Sequence, residues 1–166
     1  MSKQTFGELF RRWGLSSIKL NMGFAELEFE ATEDDMTAAW DMYVELLTRI
    51  TTQPLEDGTG DEATALTSIY ALFDITRAIL KEKGRLASNF TKVAIIVLNQ
   101  VIRPFTARWH KKKLDGAFSN AEECETFRAE LKVIQKDLIS YTQLLADMAR
   151  VEDLTAIGFV EDNPAE

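Results

Sequence analysis

Residues 88–113 read SNFTKVAIIVLNQVIRPFTARWHKKK, and this stretch decides the fold class. Its first half is apolar on nearly all sides, which is typical of a helix at the centre of a helical bundle. Ser88 can cap its start, and the lysines at its end suit a helix C-terminus. Pro104 lies inside the stretch, where it removes one backbone hydrogen bond and clashes with the carbonyl of Gln100. We therefore expect a long central helix with a kink near Gln100–Pro104.

A polar stripe runs along this otherwise apolar helix. Asn99, Arg103, Thr106 and His110 share one helix face, because they are spaced by four, three and four residues. A buried Arg103 needs a carboxylate, a carbonyl or an anionic ligand, since an unpaired buried charge costs several kcal/mol.

The residues around the stripe favour a phosphate-bearing ligand. Arg108 and Lys111 add positive charge, and Trp109 offers a flat surface on which a nucleobase can stack. The predicted ligand-binding residues are Asn99, Arg103, Thr106, Arg108, Trp109, His110 and Lys111. The alternative is structural: Arg103 pairs with a carboxylate at the edge of the core, and Lys111–Lys113 balance the helix C-terminus.

The rest of the chain outlines further helices. Thr32 and Asp35 resemble a capping box at the start of one of them. A late segment repeats apolar residues at steps of three and four over nearly four heptads, at Cys124, Phe127, Leu131, Ile134, Leu138, Tyr141, Leu145 and Met148. This pattern predicts a long helix packed along the bundle, with a coiled-coil seam to a second copy as the alternative.

Residues 17–30 alternate apolar and polar side chains on both sides of Gly23. A period of two predicts strands with one buried face. We expect a β-hairpin with its turn at Met22-Gly23, in which Lys19 faces Glu26 and Ile18 faces Leu27.

Residues 1–14 form a short amphipathic segment, which Gly14 is expected to end. Its apolar face consists of Phe6, Leu9, Phe10 and Trp13. This face either meets a partner or packs on the chain's own core. Membrane contact is expected only through residues 4–13.

The chain of 166 residues fits one domain. We expect a helical domain at 15–150, which includes the hairpin at 17–30, and a C-terminal tail at 151–166. The predicted fold is mainly α, a four-to-five-helix bundle with an N-terminal β-hairpin.

Composition excludes several function classes. The net charge of −8 repels a phosphate backbone, which disfavours general DNA or RNA binding. One Cys and one His leave no internal disulfide and almost no possibility of a zinc site. The longest uninterrupted apolar run, Val93–Leu98, is much shorter than a membrane span, and no secretory signal is visible. We expect a cytoplasmic protein without a cofactor or a resident metal.

Two segments carry a resemblance to known proteins: Gly14–Phe29 and the run VLNQVIRPFTARWH at Val97–His110. They look like a widespread bacterial family of small helical proteins found near antiphage-defence genes. More faintly, they resemble the soluble sensing domain of type III CRISPR membrane effectors, which binds cyclic oligoadenylate and oligomerises. The resemblance implies a binding or signalling module that associates with itself or with a defence protein, and a nucleotide second messenger as its ligand.

Arg103 and His110 are separated by six residues, a spacing that also resembles the Arg-x(4–6)-His motif of HEPN ribonucleases. Those small helical domains dimerise around the motif. The resemblance implies an acid–base role for His110 and stabilisation of phosphate charge by Arg103. Pro104 stands where that family prefers a polar residue. A third possibility is an interaction adaptor without a ligand.

Overall fold

Helices joined by short connections make up most of residues 4–157, the part of the chain that the computed structural model describes. In chain order they are α1 (Phe6–Arg12), α2 (Met22–Ala25), α3 (Glu33–Leu47), α4 (Glu62–Tyr70), α5 (Leu72–Lys83), α6 (Ser88–Val97), α7 (Arg103–Leu114) and α8 (Ala121–Ala149). A π-helical turn, Leu98–Ile102, joins α6 to α7, and a 3-10 turn, Ala117–Ser119, precedes α8. The prediction of a mainly helical bundle is confirmed.

Helix α8 packs most extensively against α3. Its buried face contains most of the residues of the heptad pattern, Phe127, Leu131, Leu138, Tyr141, Leu145 and Met148. Because these side chains belong to the chain's own core, they are not free to form a coiled-coil seam with a second copy.

Two side chains of α8 hold the connection between α3 and α4. The Gln135 amide donates to the carbonyls of Ile50 and Gln53 at 2.7 and 2.8 Å. The Arg128 guanidinium pairs with Glu62 at 2.6 Å and donates to the carbonyl of Glu56 at 2.8 Å. The carbonyls of this connection are therefore satisfied by a neighbouring helix.

Pro104 is accommodated by a change of helix type. The N–H of Arg103 donates to the carbonyl of Leu98, five residues back, which is the π-helical pattern. Pro104 then occupies the first turn of α7. The helix therefore passes the proline by widening one turn.

The predicted β-hairpin at 17–30 is absent, and the residues described contain no β-strand beyond one isolated bridge between Thr5 and Glu28. The expected turn at Met22-Gly23 lies instead in the short helix α2. The pairings of Lys19 with Glu26 and of Ile18 with Leu27 do not form.

Both halves of the segment find other partners. Gln100 donates its amide N–H to the Lys19 carbonyl at 2.9 Å and accepts the Lys19 N–H at 2.8 Å, so a side chain replaces the second strand. The side chain of Asn21 accepts the N–H of Phe24 and starts α2. Residues 27–29 pair with residues 4–6 through two backbone bonds. Alternation alone could not distinguish these partners from a hairpin.

The apolar face of α1 lies in the core. Phe6, Leu9 and Phe10 are buried, and Trp13 is half-buried. Phe6 packs against the rings of Phe24 and Phe29 at centroid distances of 4.8 and 5.4 Å. Of the two possibilities for this face, the structure therefore shows packing on the chain's own core.

The stretch formed by α4 and α5, Glu62–Lys83, is long and apolar enough to cross a membrane by length and composition alone. Core helices of soluble proteins pass the same test. In this bundle, α4 packs on α7 and α5 packs on α3.

The fully buried carboxylate of Asp35 joins the N-termini of two helices. One of its oxygens accepts the N–H and hydroxyl of Thr32 at 2.9 and 3.0 Å, which completes the predicted capping box of α3. The other accepts the N–H groups of Asn89 and Phe90, both at 2.9 Å, in the first turn of α6. The prediction that Ser88 caps this helix is therefore wrong, because a carboxylate from α3 takes that role.

Replacing this carboxylate should destabilise the fold strongly. We expect Asp35→Ala to lower the free energy of unfolding by about 3 kcal/mol, because two buried helix N-termini lose a charged acceptor. Asp34→Ala is the matched control: Asp34 is exposed, and its loss should cost at most about 1 kcal/mol. Urea unfolding followed by circular dichroism measures both. Equal losses in the two variants would contradict the role of Asp35.

Candidate functional site

The polar stripe lies on the π-helical turn and on α7, and three of its members border one cleft. Arg103, Thr106 and His110 line a cavity of about 160 Å³ together with Tyr70, Phe73, Arg77 and Ala107. The cleft therefore lies where α4, α5 and α7 meet.

Arg103 has no acidic partner among the residues described. Its Nε donates to Oδ1 of Asn99 at 2.9 Å, and its guanidinium carbon lies 4.8 Å from the centroid of the Phe73 ring. The two terminal NH₂ groups have no hydrogen-bond partner in the part of the chain that the structure covers. Because the side chain is also exposed, these donors are available to a ligand.

Arg77 adds a second guanidinium to the cleft. It forms an exposed ion pair with Asp74 on the same helix. Exposed pairs of this kind are weak, so Arg77 can exchange its partner for a ligand at little cost.

His110 lies half-buried at the edge of the cleft, edge-on to the ring of Tyr70 at a centroid distance of 4.7 Å. Loss of solvent around the imidazole and, less strongly, the charge of Lys113 lower its pKa from the usual 6.5. The neutral ring dominates at pH 7, where one nitrogen donates and the other accepts.

Thr106 is a structural member of the stripe. Its buried hydroxyl donates to the carbonyls of Ile102 and Arg103 at 3.0 and 3.2 Å. The carbonyls at this end of the π-helical turn are therefore bonded within the helix rather than offered to a ligand.

Trp109 cannot provide a stacking surface, because it is fully buried. Its indole N–H donates to Glu130 at 2.7 Å, and its ring packs against Phe118 and Phe127 at 5.9 and 5.0 Å. The exposed aromatic ring at the cleft is that of Tyr70, which retains 47% of its surface.

The basic end of α7 is largely paired. Arg108 contacts Glu130 at 2.6 Å, Lys112 contacts Glu123 at 2.7 Å, and the exposed Lys111 lies 3.5 Å from Asp115. Arg108 and Lys111 do not line the cleft. These contacts give Arg108, Lys111 and Lys112 structural roles, although as partners of carboxylates rather than as the balance of the helix C-terminus that the structural alternative expected for the lysines.

The cleft also uses residues from other helices that sequence reasoning did not assign to a site. Tyr70, Phe73 and Arg77 come from α4 and α5. Their spacing of three and four residues indicates a shared helix face. This spacing alone could not identify a site, because Tyr70 and Phe73 also fit the apolar pattern of a core helix.

The described residues offer no alternative centre of the metal or nucleophile type. They contain no group of three or more His, Cys, Asp or Glu side chains that could hold a metal ion. The half-buried Cys124 thiol donates to the Phe118 carbonyl at 3.5 Å, and loss of solvent raises its pKa, which keeps it protonated and unreactive.

No family model, curated protein or solved structure matches this chain.

The environment of His110 can be measured directly, since it is the only histidine in the chain. We expect its imidazole to titrate below 6.5 in NMR spectra. Tyr70→Ala should raise this pKa by admitting water, and Lys113→Gln should raise it less, because burial is the larger cause. Lys132→Gln, an exposed site on α8, serves as the control. An unchanged pKa in Tyr70→Ala would show that the Tyr70 ring does not shield the imidazole.

Proposed function

We propose that this protein is a non-enzymatic binding or signalling module of bacterial antiphage defence, and that it binds an anionic, nucleotide-type ligand in the Arg103 cleft. The observation that carries the proposal is the Arg103 guanidinium, which has no acidic partner among the described residues and faces the same cleft as Arg77. The defence role and the cytoplasmic location rest on the sequence reasoning above.

The charge of the cleft favours a single anionic group. Arg77 is balanced by Asp74, and the lowered pKa of His110 keeps the imidazole neutral, so Arg103 contributes the net positive charge. A guanidinium donates two parallel hydrogen bonds to phosphate or carboxylate oxygens. The excess of acidic residues elsewhere disfavours long nucleic acids but leaves a small anion free to bind locally.

The size of the cleft limits how much of a ligand it encloses. A volume of about 160 Å³ is below the range typical of sites for whole drug-sized molecules. We infer that the phosphate group enters the cleft and that the remainder of the nucleotide lies across Tyr70. The exposed ring of Tyr70 then supplies the stacking surface that the buried Trp109 cannot.

We propose self-association through the outer face of α3. Trp40 and Val44 lie one helical turn apart on this face and keep 45% and 38% of their surfaces exposed. Large exposed apolar side chains at such spacing are typical of interaction surfaces. The same face would serve an adaptor role with a defence protein as the partner.

Binding of cyclic oligoadenylates, followed by calorimetry and thermal shift, tests the ligand. We expect saturable binding that weakens at least tenfold in Arg103→Gln, because the variant loses a charged donor pair. Arg85→Gln is the matched control, since Arg85 is an exposed arginine outside the cleft. The proposal fails if no cyclic oligonucleotide binds, or if the two variants lose affinity equally.

A ribonuclease of the HEPN type is the second candidate, because Arg103 and His110 line the same cleft. His110 in its neutral form would act as the base, and Arg103 would stabilise charge on the scissile phosphate.

Cleavage of single-stranded RNA distinguishes this candidate from a binding module. If the protein is a ribonuclease, His110→Ala and Arg103→Ala should each reduce cleavage at least a hundredfold. Arg85→Gln should leave it unchanged. Activity that persists in His110→Ala would exclude the proposed site.

A further inference from the structure

A second cavity, separate from the Arg103 cleft, lies between the segment that precedes α2 and the outer face of α6. It is open to solvent on one side and has a volume of about 360 Å³. Its apolar wall consists of Leu20 and Phe24 on one side and of Ile95 and Ile96 on the other. Ile95 keeps 43% of its surface exposed, so the wall is open to a ligand.

Two lysines, Lys19 and Lys92, also line this cavity. Neither forms an ion pair within residues 4–157, and the Lys92 ammonium lies 5.7 Å from the centroid of the Phe6 ring. The two lysines thus place positive charge beside an apolar wall in a chain whose net charge is −8.

The other polar side chains of the cavity are engaged within the fold. Gln100 uses both ends of its amide on the backbone of Lys19. The Thr91 hydroxyl donates to the carbonyls of Gly84 and Ala87 at 3.0 and 2.8 Å. The side-chain oxygen of Asn21 accepts the N–H of Phe24, and its amide nitrogen remains as a donor. The lining side chains that keep free N–H groups are thus the two lysine ammonium groups and the Asn21 amide.

We infer that this cavity binds a small amphipathic anion, an acyl chain that ends in a carboxylate. The chain lies along Leu20, Phe24 and Ile95, and the carboxylate lies between the ammonium groups of Lys19 and Lys92. A mostly apolar cavity of this volume with a few convergent polar groups has the character of a small-molecule site. Lys19 and Lys92 carry the only charges among the residues that line the cavity, so these two positive charges favour an anion as the polar end of the ligand.

Titration with octanoate below its micellar concentration, followed by two-dimensional ¹H–¹⁵N NMR, tests this inference. We expect saturable shifts at the amides of residues 18–24 and 91–96. Octanol, which has no charge, should bind at least tenfold more weakly, and octylammonium should not bind. Equal affinity for octanol would overturn the role of the lysines, and no saturable shift with octanoate would overturn the site.

Paired variants assign the contacts. Lys19→Gln combined with Lys92→Gln should weaken octanoate binding at least tenfold. The matched control combines Lys132→Gln with Lys136→Gln, which removes two exposed charges from α8. Ile95→Asn should also weaken binding, whereas Val133→Asn, at an apolar site on α8 with 63% of its surface exposed, should not. Equal effects in the test and control variants would overturn the assignment. None of these substitutions changes a residue that lines the Arg103 cleft. The result for this cavity is therefore independent of the function proposed for that cleft.

Discussion

The carboxylate of Asp35 receives hydrogen bonds from two parts of the molecule: from Thr32, the residue before α3, and from Asn89 and Phe90 in the first turn of α6. The Asn89 amide also donates to the carbonyl of Glu30, which brings in the N-terminal segment. Since the carboxylate and Phe90 are buried, the Phe90 N–H would otherwise be an unsatisfied polar group in the core. This one side chain therefore fixes where α6 begins relative to α3, and with it the course of the helix that carries Arg103.

The opposite end of α3 depends on α8 in a similar way. Gln135 satisfies carbonyls just after α3, and Arg128 pairs with Glu62 in the first turn of α4. Long-range side-chain bonds therefore hold the segment before α4 as well as the start of α6, while Asp61 caps α4 locally. In the cleft that these helices form, Phe73 lies beneath the Arg103 guanidinium and Tyr70 lies against His110.

How much of the structure could be predicted from the sequence depends on how far apart in the chain the interacting residues lie. Helix periods and the Thr32–Asp35 box are local, so they could be predicted, as could the shared face of Arg103 and His110. The replacement of a hairpin by the Gln100 side chain involves residues 81 positions apart, which alternation does not report. The burial of Trp109 depends on Glu130, which lies 21 positions later in the chain, and on the rings of Phe118 and Phe127. Its flat ring was equally compatible with a ligand surface and with the core.

The position of Arg103 argues for function more strongly than its charge does. Later in α7, Arg108 and Lys112 pair with carboxylates of α8. Acidic side chains are therefore within reach of this part of the helix. Arg103 faces α5 instead, where Phe73 lies beneath its guanidinium and Asn99 holds its Nε. These two contacts orient the guanidinium plane but leave both terminal NH₂ groups unused. A side chain already held in one orientation loses little conformational entropy when an anion binds, which is the arrangement that favours affinity.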